Sequence, residues 1–450
     1  MQMASISRWT LSYFSCALVA LVAALSLMAL GFGYPSEALA APQTLVVVHL
    51  LAIGWLTLLM MGALLQFLPV LVGRELWGSK LAPVALVLVL VGLTLLLSGF
   101  AAIDGWPGLP SALLPIGGLV LIAGFCVAAA VLMVTLLRAE TLPLPAAFVA
   151  VGVISILVTA VVGETLAAAL SGMIGGEFSL ALVTHGVALH AGFGLGGWLS
   201  FAAMGVSYRL VSMFLVAPER KGTWPKAVFW LGGMALAALL MALGVLLATN
   251  APWPAGLAAA GASALACIGA YLADMVVLYR TRRRRALELH TAAAIGAFAM
   301  LILGAMLLAI GACTAQEGSI TAAVFVLALG WLGGLGLAML YKIIPFLTWL
   351  ECFAPLMGRM ATPRVQDLVC EDRAALFFWM YFAAVAVGGT ALFFELSLLF
   401  RMATTVQLLA TLLLIGQFFR ARRLADLPLQ WCDHPRPRLF LPARTTRRHT

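Results

Sequence analysis

Apolar residues run along this chain in long blocks separated by short polar breaks. The blocks cover roughly residues 9–31, 44–72, 80–101, 110–137, 144–172, 178–216, 225–249, 254–280, 290–312, 319–350, 374–399 and 402–420. Each has about the length a helix needs to cross the hydrocarbon core, around 20 residues. None alternates with the period of two that a membrane strand requires. Because backbone amides in lipid must be satisfied within their own segment, the pattern predicts an all-α integral membrane protein with about twelve transmembrane helices.

A second pattern is superposed on the first. Inside the apolar blocks Gly-Trp occurs as Gly54-Trp55, Gly197-Trp198 and Gly330-Trp331, with the pairs about 140 residues apart. Eleven residues beyond each tryptophan stands a long polar side chain (Gln66, Arg209, Lys342), and fourteen beyond it Pro69, Ser212 or Pro345. On the span count these segments are helices two, six and ten. The chain therefore reads as three pseudo-repeated four-helix arcs, approximately 1–140, 141–285 and 286–423. Together they form one polytopic domain over 1–423, followed by a basic tail at 424–450. If the arcs close around a common axis, helices two, six and ten line the inside, while helices three and four face lipid.

Composition agrees: 64% of residues are hydrophobic, 10% are charged, and the mean hydropathy is +1.10. The net charge of +9 changes the picture only through its distribution. Basic residues collect in every second loop, from Arg74 and Lys80 through Arg138, Arg220 to Lys226, Arg280 to Arg285, and Arg359 to Arg373. The alternate loops carry Glu37, Asp104, Glu177 and Glu317 instead, with Arg401 the exception. The positive-inside rule then puts both termini in the cytoplasm of a bacterial-type inner membrane. Charge that flanks membrane helices is topogenic, so the lipid bilayer is the expected partner and nucleic acid is not. The first span is read as a retained helix, because removing it as a signal peptide leaves an odd number of crossings.

The seven cysteines are scattered, without the short paired spacings of metal or redox motifs. Candidate chemistry comes from the few polar groups embedded in the membrane, where they are costly. His49 opens helix two, and His190 occupies the corresponding part of helix six. Two imidazoles at matched depth suit a haem iron or a copper ion, although a membrane histidine also serves to bond a neighbouring helix. His185, five residues before His190, points to another side of a regular helix and is the weaker metal candidate. His290 stands at a helix start and reads as interfacial. Glu164 in helix five and Glu395 in helix eleven are read as embedded carboxylates, with Glu164 the candidate for a proton or ion path. Tyr208-Arg209 and Tyr341-Lys342 read as headgroup anchors.

With twelve helices in three blocks and a histidine near the outer end of helix two, the chain resembles the haem-copper oxidase subunit I superfamily. It is most similar to divergent bacterial members such as relatives of the nitric-oxide-response haem-copper protein. The likeness is carried by His49–Gly73 (HLLAIGWLTLLMMGALLQFLPVLVG), His190–Pro218 (HAGFGLGGWLSFAAMGVSYRLVSMFLVAP) and Tyr341–Gly358 (YKIIPFLTWLECFAPLMG). The resemblance implies a histidine on helix two and two on helix ten for haems, and three on helices six and seven for copper. His49 and His190 match two of these positions. Helices seven and ten contain no histidine. The resemblance thus implies at most one haem, with copper the lesser expectation, and not a complete terminal oxidase. It also implies a role in nitric oxide response or the respiratory chain, with a respiratory-type membrane partner. Two other readings stay open: a cofactor-free transporter or channel moving a small solute, metal ion or protons past Glu164, and a structural subunit of a membrane complex.

Overall fold

The computed structural model of the chain describes residues 3–314, 316–427 and 431. Among the described residues, twelve helices are long and apolar enough to cross a membrane: α1 (Trp9–Leu30), α2 (Pro42–Val72), α3 (Ser79–Ile103), α4 (Leu113–Leu137), α5 (Leu144–Leu170), α6 (Gly176–Leu215), α7 (Thr223–Thr249), α8 (Pro254–Arg280), α9 (Leu289–Thr314), α10 (Glu317–Cys352), α11 (Glu371–Phe393) and α12 (Ser397–Arg422). No strand occurs among the described residues. A multi-pass protein of this kind meets the lipid bilayer along its outer faces. The boundaries follow local chemistry. Proline stands in the first turn of α2, α5 and α8, where its missing N–H costs nothing. Gly73 ends α2, and Asn250 ends α7, in the left-handed conformation these residues tolerate best. Of the tail read at 424–450, only 424–427 and 431 are described; Cys432, His434, Arg436 to Arg448 and His449 lie outside the described residues.

The three long helices α2, α6 and α10 run for 31, 40 and 36 residues. Each contains π-helical turns around its Gly-Trp pair, at Leu50–Thr57, Gly192–Phe201 and Val326–Gly333. The three π segments touch one another, and Trp55, Trp198 and Trp331 are 0%, 1% and 2% exposed. The glycine of each pair faces the preceding helix instead. A Cβ on Gly54 would stand 2.7 Å from Ala20 Cβ of α1, one on Gly197 2.5 Å from Ser155 Oγ of α5, and one on Gly330 2.7 Å from Met300 Cβ of α9. The dipeptide is therefore a packing device with two directions: glycine admits the neighbouring helix, and tryptophan fills the centre. Leu56, Leu199 and Leu332, one residue further on, line a common central cavity.

Helices two, six and ten thus line the interior, but helices three and four do not simply face lipid. Half of the apolar stretch of α4 is buried, the same share as in α2. The cause is backbone contact: a Cβ on Gly117 of α4 would collide with Leu96 N of α3, and one on Gly99 of α3 with Leu114 N of α4. Small residues drive helix association in lipid because close packing substitutes for a hydrophobic force that lipid removes. α4 also packs against α5 on its other side.

Glu395 is not in helix eleven. α11 stops at Phe393, and Glu395 sits exposed in a turn at φ 54°, with Leu396 N bonded to Ala391 O at 2.8 Å. The apolar run continues through this turn, which hides the boundary from a hydropathy reading. Arg401 lies in the first turns of α12, and its Nε donates to Ala29 O at 3.3 Å. It therefore joins the last turn of α1, at the end where Gln43 Nε2 donates to Asp104 Oδ2 at 3.2 Å. The opposite, basic end is tied by Arg74 with Glu140 and by Arg284 N bonded to Leu215 O at 3.4 Å.

Gly117→Leu is expected to separate α3 from α4 and lower the melting temperature in detergent, since overpacking typically costs about 1–3 kcal/mol. Gly244→Leu, at a glycine with nothing within 4 Å of its added Cβ, is expected to melt like the wild type.

Candidate functional site

The structure brings His49 and His190 together. Their ring centroids are 6.2 Å apart with planes inclined by 34°, in the half of the bundle away from the basic end. His49 is the last residue before the π turns of α2. His190 lies in a short α-helical stretch between two π segments of α6, Leu182–Gly186 and Gly192–Phe201. Each π turn holds an extra residue and so rotates the helix on its N-terminal side relative to the helix on its C-terminal side. π-bulges are uncommon and concentrate at functional sites for this reason.

Each imidazole is oriented by a backbone carbonyl. His49 Nδ1 donates to Leu45 O at 2.8 Å, and His190 Nδ1 donates to Thr159 O of α5 at 3.0 Å. A carbonyl can only accept, so both Nδ1 atoms carry the proton and both Nε2 atoms keep a lone pair. This is the arrangement in which histidine ligates metals, with the second nitrogen fixing ring and tautomer. Phe100 packs on His49 with centroids 5.1 Å apart. Gly163 of α5 holds the other wall, where a Cβ would stand 2.8 Å from His190 Cε1.

The remaining candidates fall elsewhere. His185, half-buried in the first π segment of α6, makes no hydrogen bond or ring contact with the described residues. Glu164 comes directly after Gly163 and so leaves α5 about 100° around from the histidine pair. Its Oε2 is buried, has no partner and faces α4, where it occupies the place a Cβ on Gly118 would need. No third histidine, cysteine or carboxylate joins His49 and His190 to make a group of three among the described residues.

Two polar clusters lie outside the sequence expectations. Tyr208 and Tyr341 face inward rather than to the headgroups, at 6% and 3% exposure. Tyr208 Oη donates to Asp274 Oδ2 at 3.0 Å, and Arg220 Nε donates to Oδ1 at 2.6 Å. Asp274 is legible in the sequence as a lone acid in the apolar block of α8. The second cluster centres on Glu288, which takes Lys342 Nζ at 2.5 Å, Gln366 Nε2 at 2.7 Å and Arg284. His290, expected at the interface, is instead buried beside it, with Nδ1 3.4 Å from Glu288 Oε2. His290 Nε2 and the Tyr341 hydroxyl have no protein partner and border one small cavity. Its room, about 10 Å³ for the centre of a water-sized sphere, is close to what one water needs, roughly 10–15 Å³. Sequence spacing cannot find this cluster, because its members come from the loop before α9, from α10 and from the 353–370 loop.

No protein-family model matches the chain, and no curated protein matches it.

Burial pushes the Glu288 carboxyl up, but the Lys342 bond and charge, then Gln366 and His290, hold it below the ordinary value of 4.5. A lowered carboxylate contributes stability that is complete above the unfolded value and is lost as pH falls through the folded one. Melting temperature is therefore expected to drop on acidification below about pH 4.5, and Glu288→Gln is expected to melt lower than the wild type at pH 7 and to lose less on acidification.

Proposed function

We propose that the protein is a membrane metal-binding protein that holds one transition-metal ion between His49 and His190, on an oxidase-subunit-I-like scaffold of three four-helix arcs. The observation that carries this reading is the pair itself: two imidazoles from different helices, each with Nδ1 fixed on a carbonyl and Nε2 bare. An ion bound at about 2.0–2.1 Å by one nitrogen of each ring would put the ring centres roughly 5–6.5 Å apart, and they are 6.2 Å apart. Neutral imidazole suits copper, zinc and iron, and copper is the first candidate. Two protein ligands leave the other coordination positions open to a small molecule, and that open site is what the bound ion supplies to function.

Haem is the alternative occupant. The pair could ligate its iron, but the cavity between α2, α6 and α10 lies beyond the tryptophans and contains no histidine in its walls. An ion therefore suits the site better than a macrocycle. With two histidines against the six that the resemblance requires, the reading is of a metal-holding protein and not an oxygen-reducing one. Basic loops on the cytoplasmic side of a bacterial inner membrane would place the pair in the outer half of the bilayer. A role beside the respiratory chain or in nitric oxide response, with a respiratory-type membrane partner, belongs to this reading.

A second reading is favoured by one observation. The unpartnered, buried Oε2 of Glu164 is costly in a membrane interior, and such a carboxylate suits proton or cation movement.

Protein purified after growth with copper and haem is expected to carry about one metal equivalent per chain, lost in both His49→Ala and His190→Ala and kept in His185→Ala. A Soret band that vanishes in the same two variants would identify haem instead; wild-type protein with neither metal nor haem sinks the reading. For the second reading, Glu164→Gln is expected to slow proton or cation flux into proteoliposomes, and unchanged flux would remove the residue from any path.

A further inference from the structure

The room between α2, α6 and α10, on the basic side of the tryptophans, is a cavity of about 80 Å³ counted as space open to the centre of a water-sized sphere. That is several times what one buried water needs, roughly 10–15 Å³. Its walls come from matching positions of the three helices. Five residues beyond each tryptophan stand Met60, Ala203 and Gly336, and twelve beyond stand Phe67, Leu210 and Ile343. In the first layer a long side chain, a short one and none occupy equivalent places, and Leu59 fills the position that a Cβ on Gly336 would take. The second stands about 16 Å further along the helices than Leu56 at 1.5 Å per residue.

The chemistry of the wall restricts what can enter. Its one polar side chain is Ser207, whose hydroxyl is already engaged with Met204 O at 2.8 Å and Tyr271 Oη at 2.6 Å. A water molecule inside would forgo hydrogen bonds it keeps in bulk, and an ion or lipid headgroup would meet no partner. Cavities lined in this way stay dry and take up benzene or xenon. We propose that the central cavity binds small, wholly apolar molecules of the size of xenon or a diatomic gas, which partition into it from the bilayer core. This site is independent of the histidine pair and does not require a metal.

The test is a crystal of the full-length protein pressurised with xenon. An anomalous peak is expected between Ala203 and Gly336, and it is expected to disappear in Ala203→Leu, which fills the space. Ala203→Val adds less bulk and is expected to lower the occupancy at least about twofold, which keeps the comparison available if the leucine variant does not fold. A wild-type cavity without xenon, one filled by ordered water or by an acyl chain, or a peak undiminished in both variants overturns the proposal.

Discussion

Everything in this molecule hangs on how three helices approach one another at the level of Trp55, Trp198 and Trp331. Lipid tails are as apolar as leucine, so no hydrophobic force draws α2, α6 and α10 together, and their contact must rest on close packing and a few hydrogen bonds. Tryptophan is suited to this because one indole supplies a large rigid surface and a polar handle. The handle is used once: Trp198 Nε1 donates to Thr57 Oγ1 of α2 at 3.0 Å. Thr57 stands two residues beyond Trp55, and the residue two beyond Trp331 is Gly333. A Cβ there would lie 3.3 Å from Trp55 Nε1, so Trp55 addresses in α10 the place that Trp198 addresses in α2. Glycine offers no side-chain acceptor, and the Trp55 N–H is left unpaired.

The same approach explains the π turns. Each long helix must put glycine against its predecessor and tryptophan at the centre while remaining bonded along its length. The extra residue of a π turn allows adjacent faces to be re-aimed without breaking the helix. In α2 and α6 the residues on the far side of the π turns include a histidine, and the two rings meet. In α10 the corresponding stretch, Glu317–Phe325, has none. Geometry that recurs three times therefore brings histidines together only between α2 and α6.

Much of this is legible in the sequence, and the parts that are not share a physical cause. Span number and most boundaries follow from hydropathy, because lipid demands uninterrupted apolar helix. The matched depth of His49 and His190 also follows, because each is counted from the tryptophan of its own helix, Trp55 or Trp198. Their contact does not: a regular helix fixes direction by residue count, and π turns spoil that count. Glu395 reads as helical because its turn is made of apolar neighbours. The Glu288 cluster is invisible because its partners are far apart in sequence, and His290 reads as interfacial because position along a helix says nothing about what covers it. The burial of α4 is hidden for a related reason. Its leucines and valines look lipid-facing, yet the decisive residues are glycines that hydropathy hardly weights.

The two ends of the molecule differ in how polar groups are treated, and this bears on where function can reside. At the basic end, Glu288 gathers an arginine, a lysine, a glutamine and a histidine, and Asp274 gathers a tyrosine and an arginine, so most charge is compensated by bonds within the protein. Breaking one member of such a group leaves another buried and unpaired, which gives these clusters a structural role. In the other half, His49 and His190 use one nitrogen each for orientation and leave the second bare. Two imidazoles from different helices, 6.2 Å apart between ring centres and each oriented by an accepting carbonyl, are the arrangement on which the proposed metal site rests.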